Sequence, residues 1–530
     1  MAHALPARGA FLLLALSGAL LLFRLGTVPL LGPDEPRYAR VAVEMHRAGE
    51  WVTPTLQGQP WLEKPALYYW LAGAAFHLLG ETETAARLPS VLAALLFVGS
   101  TALVGARIFG PAVGLHAGFI LATSLLPFVY GRAAAMDMLL AATVTAATGL
   151  IGLRLLGIAG RLAVPAAFAL IGLATLAKGP LGLLLPGLVA FAYVVATRDR
   201  TALRALVSPA GIALFLLVAG PWYVLILLDQ GRHFVDVFLL NHNLARFTSA
   251  IHRHAGPVFY YLPLVVAGVF PWSGFVLPAL VGVRPRASRA DLFVLLWLAL
   301  PFVLFSLAGS KLPGYVLPCL PPLALLMGRA VARLVAGAPA PFGAGGRAVA
   351  LVGLVLGALL ATTPVWVWRL PDPAWAQTAP FAAWALLTSF GFSRRVAADA
   401  GGAVRMLRVG GAGALLLLSL AAPPILARHE SGRDLFRPAR GREVLVWGAW
   451  RTAWMAGYFY NDGRVREVAG LAEIYAATGE GPRLVLAGPS ERRRLEAVRD
   501  LEVTSEAEGP RGHALLQVAR RPGMMSGEGG

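Results

Sequence analysis

Long apolar runs recur along most of this chain, and they constrain its fold more than any other feature. Many of them reach about 18 residues or more, which is the length that a helix needs to cross the hydrocarbon core of a bilayer. Because that core offers no hydrogen-bond partners to the backbone, such runs cross it as α-helices. The sequence therefore predicts an all-α polytopic protein embedded in a lipid bilayer.

The composition agrees with a membrane protein and argues against other classes. Of 530 residues, 57% are hydrophobic and only 14% are charged. A net charge of +18 would suggest a nucleic-acid partner for a soluble protein, but basic residues on cytoplasmic loops explain it here. We therefore expect no nucleic-acid partner. The single cysteine, Cys319, excludes an intrachain disulfide and a cysteine-based metal cage.

The apolar runs predict about 13 transmembrane helices. They lie near residues 9–28, 85–108, 111–129, 135–156, 161–177, 180–197, 205–228, 256–283, 290–308, 313–336, 348–369, 374–392 and 408–427. The run Ala66–Gly80 is shorter, so we expect it to lie along the membrane surface instead of crossing it. These spans define a transmembrane domain over residues 1–427.

The distribution of arginines predicts which loops are cytoplasmic, since basic residues concentrate on that side. If the N-terminus is cytoplasmic and Ala66–Gly80 does not cross, the arginine-rich connections at 198–204, 284–289 and 394–408 are all cytoplasmic. The short connections on the opposite side carry single basic residues: Arg132, Lys178, Lys311 and Arg369. The first loop (29–84, with interfacial helices), the loop at 229–255 and the C-terminal region are then external.

From residue 428 onward, short alternating segments replace the long apolar runs. Short β-like segments at Glu443–Trp447, Arg464–Val468, Arg483–Ala487 and Ala514–Val518 alternate with helical ones. We predict a small extracytoplasmic α/β domain over residues 428–530. Its Gly-rich tail, 523–530, is expected to be disordered.

Polar and charged side chains gather in the segments that this topology places outside. The first loop contributes Asp34, Glu35, Arg37, Tyr38, Glu63, Lys64 and Tyr69, and three short connections contribute Asp137, Lys178, Lys311 and Tyr315. The later external loop adds His242 and Arg246. We therefore expect the functional residues at one membrane face.

Simpler explanations exist for several of these residues. Asp34 and Glu35 could cap the start of a helix, where acids are favoured. Lys64 could extend from an interfacial helix to water. Asp137 could form a structural ion pair with Arg132, although an ionisable group at this depth usually has a function. His242 could be an ordinary polar loop residue.

The combination of residue types suits sugar transfer from a lipid phosphate. Basic side chains at the headgroup level bind phosphate and neutralise it as a leaving group. A neighbouring carboxylate serves as a general base or stabilises positive charge at the anomeric carbon of the sugar. Apolar surface between the spans suits a long isoprenoid chain. No nucleotide-binding motif precedes a helix, so we expect a lipid-linked donor.

Three motifs resemble the bacterial branch of the protein O-mannosyltransferase family, which includes the 4-amino-4-deoxy-L-arabinose lipid A transferases. The motifs are Asp34-Glu35-Pro36-Arg37-Tyr38, Trp61-Leu62-Glu63-Lys64-Pro65 and Ala86-Arg87-Leu88-Pro89-Ser90. Asp137, Lys178-Gly179-Pro180 and the segment 310–318 match in order and approximate spacing. The resemblance covers about residues 10–330. It implies a GT-C fold and a glycosyltransferase that uses a polyprenyl-phosphate sugar.

The resemblance also implies roles for individual residues. Asp34 would be the essential acid of the first loop, with Glu35 in support. Lys64 would hold the donor phosphate, and Asp137 would orient basic or sugar groups. Donor phosphate or sugar binding is further expected of Arg37, Tyr38, Tyr69, Lys178, Lys311, Tyr315 and Arg246.

No cofactor is expected to be required for catalysis. Members of the aminoarabinose branch can carry a structural zinc or another divalent cation, and the resemblance assigns its ligands here to Glu63 and His242.

The acceptor stays open at this stage, since lipid A, another glycolipid and a protein hydroxyl all fit the chemistry. A solute transporter or lipid flippase is the alternative from another class. It predicts ionisable residues near the midplane of several spans and repeated halves. For the transferase, the expected location is the bacterial inner membrane, with a periplasmic active site.

Overall fold

The structure is a computed structural model. It describes residues 4–245, 256–337, 373–439 and 441–521, together with residues 351, 354, 355, 358, 359 and 362. Most of the predicted span at 348–369 and the whole tail at 523–530 lie outside the described residues.

The first half of the chain consists of helices joined by short connections. These helices are α1 (Ala7–Leu22), α2 (Asp34–Ala48), α3 (Leu67–Leu79), α4 (Glu83–Phe109), α5 (Pro111–Ala122), α6 (Leu125–Gly131), α7 (Asp137–Leu155), α8 (Ala163–Lys178), α9 (Leu181–Thr197), α10 (Arg200–Leu206) and α11 (Pro209–Phe234). A π-helical segment, Val235–Ala245, follows α11. A small antiparallel hairpin in the first loop pairs β1 (Thr55–Leu56) with β2 (Gln59–Pro60).

The second half continues in the same way. Its helices are α12 (Tyr261–Gly268), α13 (Val276–Val281), α14 (Arg289–Leu307), α15 (Leu320–Val335), α16 (Pro373–Arg395) and α17 (Ala400–Glu430). A 3-10 turn, Pro313–Cys319, leads into α15. The final region contains β3 (Val444–Trp447), α18 (Arg451–Tyr460), β4 (Val465–Glu467), α19 (Leu471–Ala477), β5 (Arg483–Ala487), α20 (Pro489–Glu496), β6 (Leu501–Glu508) and β7 (Ala514–Arg520).

The prediction of a multi-pass α-helical membrane protein is confirmed. Within the described ranges, 6 helices are long and apolar enough to cross a membrane, or 8 if each of two bent pairs is one span. The other predicted spans fall on shorter apolar helices, on α16 or on the stretch outside the description. The helix over Ala66–Gly80, α3, has 13 residues and is too short to cross.

Two predicted spans are bent where straight helices were expected. The bend between α5 and α6 is 63°. There the hydroxyls of Thr123 and Ser124 donate to carbonyls four residues back, at 2.6 Å each, which competes with the helical ladder. The helical segments on either side of Val269–Trp272 meet at 117°. Pro271 has no backbone N–H to continue a helix there.

The core lies between the transmembrane helices, with α7 at its centre. Most of α7 is buried against α4, α8 and α9. Helices α4 and α5 approach closely because Gly114 has no side chain. A Cβ atom at Gly114 would lie 2.3 Å from the carbonyl oxygen of Ala102. Small residues of this kind allow helix backbones to pack tightly in membranes.

The small C-terminal α/β domain is also confirmed. Its sheet has 5 strands in the order β4-β3-β5-β7-β6. The pairs β3–β4 and β3–β5 are parallel, and β7 is antiparallel to β5 and β6. Strand β6, which is mostly exposed and lies at the sheet edge, was not predicted from the sequence.

Candidate active site

The first turn of α2 carries a charged cluster. The Arg37 guanidinium lies 2.5 Å from an Asp34 carboxylate oxygen and 4.0 Å from a Glu63 carboxylate oxygen. It also stacks on the ring of Trp61, at 4.8 Å from the centroid. The Asp34 side chain is 52% exposed, whereas the Arg37 side chain is 6% exposed. The buried Arg37 guanidinium therefore fixes the position of the Asp34 carboxylate, which remains exposed to solvent.

Electrostatic neighbours keep the buried Arg37 charged. Burial by itself lowers the pKa of a guanidinium. Tyr38, Asp34 and Glu63 outweigh this, so the pKa of Arg37 lies above its ordinary value. Burial raises the pKa of Tyr38, and Asp34 adds to the effect. Tyr38 is therefore a neutral hydrogen-bonding group at neutral pH.

Glu35 points in a different direction from Asp34 and is enclosed. Arg87, at the start of α4, donates two hydrogen bonds to its carboxylate, at 2.7 and 3.2 Å. The backbone N–H groups of Leu31 and Ala134 donate to the same carboxylate, each at 2.6 Å. Glu35 thus joins the start of α2 to α4 and to the connection before α7. Arg87 further donates to the carbonyls of Leu25, Val28 and Pro29.

Lys64 and Tyr69 are also close to the cluster, since Lys64 adjoins Glu63 and Tyr69 acts electrostatically on Arg37. Lys64 is buried, and its ammonium donates to the carbonyl of Glu63 at 3.1 Å. Tyr69 is also buried, beside the indole of Trp61. Burial raises its pKa well above the ordinary value, so its hydroxyl is neutral.

A second cluster forms where α7, α8 and the turn before α15 meet. The ammonium of Lys178, the last residue of α8, lies 2.6 Å from the Asp137 carboxylate and 4.7 Å from the ring centroid of Tyr315. A Cβ atom at Gly314 would lie 2.7 Å from an Asp137 carboxylate oxygen, so only glycine fits there. Burial is the main cause of the raised pKa of Tyr38, and Asp137 makes a smaller electrostatic contribution to it.

A structural ion pair with Arg132 was the alternative explanation for Asp137, but the two residues are not paired. Arg132 instead donates to the carbonyls of Leu20, Leu21 and Phe23 at the end of α1. These bonds satisfy carbonyls that a helix end leaves free.

Lys311 lies in the segment that carries Tyr315. It is buried, and its ammonium donates to the carbonyl of Ala308 at 2.7 Å. Arg246, the remaining predicted donor ligand, lies outside the described residues.

The predicted metal ligands lie near each other but do not make a zinc site by themselves. An imidazole nitrogen of His242 is 3.7 Å from a Glu63 carboxylate oxygen. A structural zinc ion takes four protein ligands. Among the residues that can be described, no group of three or more His, Cys, Asp or Glu could hold a metal. We therefore assign no chemical step to a metal.

The C-terminal domain contacts the back of α2. Asp462 pairs with both Arg40 and Arg47, the latter at 2.7 Å. Partial burial raises the pKa of Asp462, but these two ion pairs outweigh it, so the pKa lies below its ordinary value. The Tyr460 hydroxyl accepts from the Leu30 N–H at 2.7 Å and donates to Glu83 at 3.1 Å. The domain thus fixes the helix that carries Asp34 and Arg37.

One compositional signal marks the site and was missed by the sequence analysis. Of 46 Lys and Arg residues, only three are lysines, and these are Lys64, Lys178 and Lys311. Everywhere else the chain uses arginine. Lysine is a compact point charge, whereas arginine is a planar fork. The restriction of lysine to these three positions indicates a specific requirement for ammonium groups.

Trp61 and Gly314 were also missed as site residues, because their contacts cross between distant segments.

Comparisons with known proteins agree with this geometry. A family model described as dolichyl-phosphate-mannose-protein mannosyltransferase matches residues 63–224. An undecaprenyl phosphate-alpha-4-amino-4-deoxy-L-arabinose arabinosyl transferase from Edwardsiella ictaluri is 33% identical over 342 residues, or 62% of this chain and 60% of the relative. The matched region therefore spans about three-fifths of that relative.

The solved structure of ArnT from Cupriavidus metallidurans in the apo state has a TM-score of 0.77 and 25% identity. The match covers 96% of this chain and 97% of ArnT. The structure of the same protein bound to undecaprenyl phosphate has a TM-score of 0.77, 24% identity and coverage of 97% and 98%. This chain has the GT-C fold. The predicted resemblance to the aminoarabinose transferases is confirmed.

Proposed function

We propose that this protein is an integral-membrane glycosyltransferase of the bacterial inner membrane. It transfers a sugar from a polyprenyl-phosphate donor to an acceptor at the periplasmic face. The observation that supports the proposal is a pair of charged clusters built by separate segments of the chain, Asp34 with Arg37 at the start of α2 and Asp137 with Lys178 between α7 and α8. By similarity to its relatives, the donor is undecaprenyl phosphate-4-amino-4-deoxy-L-arabinose. Lipid A is the acceptor that the resemblance found in the sequence implies.

In this proposal the lysines bind the donor phosphate. Lys64, Lys178 and Lys311 are largely buried, so water screens their charge less than at an exposed surface. Ammonium groups in such a site favour the additional negative charge that develops when the bond between phosphate and sugar breaks. Arg37 adds a further cation near Asp34. The polyprenyl phosphate leaves with the bonding electron pair.

Asp34 is the proposed catalytic carboxylate, and it acts on the acceptor and on the sugar ring. Its carboxylate is held by Arg37 and remains accessible. When the acceptor is a hydroxyl, Asp34 accepts the proton as the acceptor oxygen bonds to the anomeric carbon. When the acceptor is a phosphate, no proton has to be removed, and the carboxylate stabilises positive charge on the sugar ring. Inversion at the anomeric carbon is expected from this single displacement.

Glu35 acts as a positioning residue in this account. Its carboxylate is occupied by Arg87 and two backbone N–H groups, so it has no free position for a substrate proton. Asp137 orients Lys178 and thereby the phosphate site.

A protein hydroxyl is the second candidate acceptor, since the matching family model describes protein mannosyltransferases. The distribution of arginines predicts that the first loop is external, and this supports the periplasmic face for either acceptor. For a metal, the Glu63–His242 pair is at most a partial site in the described part of the chain.

A transfer assay tests the function. The purified protein in nanodiscs is supplied with undecaprenyl phosphate-aminoarabinose and lipid A. We expect it to add one aminoarabinose residue to lipid A and to release undecaprenyl phosphate. Mass spectrometry detects both products. A parallel reaction with periplasmic peptides in place of lipid A tests the protein acceptor. Absence of transfer to either acceptor would contradict the proposed donor.

A further inference from the structure

A cavity lies between α16 and α17, away from the candidate active site. Its volume is about 450 Å³. Residues that line it include Trp384, Leu387, Arg395, Arg405, Met406 and Val409. In the predicted topology, the connection between these two helices is cytoplasmic, so the cavity opens on the face opposite to sugar transfer.

The walls of this cavity are apolar and accessible. Leu387 and Val409 are each 67% exposed, and they belong to different helices. The indole N–H of Trp384 donates to the carbonyl of Gly410 at 2.7 Å, which fixes the ring across the two helices. The two helices thus form an apolar groove between them, and such a groove can accommodate an acyl chain.

The end of the groove is positively charged. Within the described residues, neither Arg395 nor Arg405 has a carboxylate partner within 4.0 Å. The one carboxylate that lines the groove, Asp399, accepts from the N–H of Gly402 at 2.7 Å and caps α17. Two unpaired guanidinium groups thus accompany one carboxylate that is already bonded. Both guanidinium groups are exposed at the end of an apolar groove, where they are available to an anionic ligand.

We propose that this groove binds an anionic phospholipid of the cytoplasmic leaflet. The phosphate lies between Arg395 and Arg405, and one acyl chain runs along Trp384, Leu387 and Val409. Basic pockets between transmembrane helices on the cytoplasmic side recognise anionic headgroups in this manner. The Arg408 guanidinium, one turn further along α17, contacts the rings of His116 and Phe119 and is therefore committed elsewhere.

Trp384 makes the proposal testable by fluorescence quenching. The chain is placed in nanodiscs that contain either phosphatidylglycerol with brominated acyl chains in a phosphatidylcholine background, or brominated phosphatidylcholine in a phosphatidylglycerol background. The contribution of Trp384 is the difference between the protein and its Trp384→Phe variant. We expect brominated phosphatidylglycerol to quench Trp384 about fivefold more effectively than brominated phosphatidylcholine at equal mole fraction.

The double variant Arg395→Gln/Arg405→Gln should lose this preference. Arg161→Gln/Arg200→Gln is the matched control, because both arginines are exposed on other connections of the same predicted face. The control should retain the preference. If the double variant folds poorly, native mass spectrometry gives an independent readout, because it measures the phosphatidylglycerol that the detergent-purified protein retains. The single variants Arg395→Gln and Arg405→Gln should each retain less of this lipid than Arg161→Gln.

Three outcomes would overturn the proposal. Equal quenching by the two lipids would mean that the groove contacts only bulk lipid. Quenching by neither lipid would mean that a second copy of the chain or another helix fills it. Unchanged preference in the double variant would remove the two arginines from headgroup recognition.

Discussion

Replacing Asp34 with asparagine is expected to reduce sugar transfer by about 100-fold or more, which is the usual contribution of a positioned acid or base. Asparagine preserves the size of the side chain and can still accept a hydrogen bond from Arg37. It cannot take up a proton or provide a negative charge beside the anomeric carbon. The initial rate of transfer with purified protein measures the effect.

Asp236→Asn is the matched control for this substitution. Asp236 is also a carboxylate of the segments predicted to be external, and it is paired with an exposed Arg232 at 3.6 Å. We expect this variant to keep the full rate, and both variants to melt at the temperature of the unmodified protein. An Asp34→Asn variant with an unchanged rate would remove Asp34 from the chemistry.

Replacing Arg87 with methionine is expected to have the largest effect on stability. Arg87 is 2% exposed and is the charge partner of the buried Glu35. Removal of one partner of a buried ion pair typically costs about 3–5 kcal/mol, since the other charge remains without compensation. We expect a large drop in melting temperature and a loss of monodisperse protein in gel filtration.

The double variant Glu35→Gln/Arg87→Met isolates the cause of this loss. Because it removes the buried carboxylate charge as well, it should be more stable than Arg87→Met alone. If the double variant is no more stable than the single one, the bonds of Arg87 to the carbonyls of Leu25, Val28 and Pro29 dominate instead. A single variant as stable as the unmodified protein would contradict the structural role.

Adjacent residues illustrate what the sequence could and could not predict. Asp34 and Glu35 have the same charge, and the sequence treats them as one acid pair. On a helix, neighbouring residues point in directions about 100° apart. Asp34 therefore faces the solvent and contacts the buried Arg37, which is three residues away, whereas Glu35 faces Arg87 in the interior. The spacing of Asp34 and Arg37 was readable from the sequence, but the partner of Glu35 lies 52 positions away.

The same distinction holds for the rest of the molecule. Apolar length predicted most helices, because the hydrocarbon core imposes it. It did not predict the 117° bend before α13, which depends on a local Val269–Trp272 turn. The edge strand β6 was missed because its residues Leu501–Glu508 are mostly polar. The contact of Asp462 with α2 joins residues more than 400 positions apart and has no local signal.

The central claim is that one lipid phosphate is bound by ammonium groups from three separate segments, and acylation of lysines tests it directly. Lys64, Lys178 and Lys311 are the only lysines in the chain, so an amine-acylating reagent followed by digestion and mass spectrometry reports on the site with little background. We expect undecaprenyl phosphate to reduce acylation of all three several-fold, because a bound phosphate engages the ammonium groups. Undecaprenol, which has the same chain without the phosphate, should give no such protection. Equal acylation of the three lysines in the presence of either lipid would contradict the account.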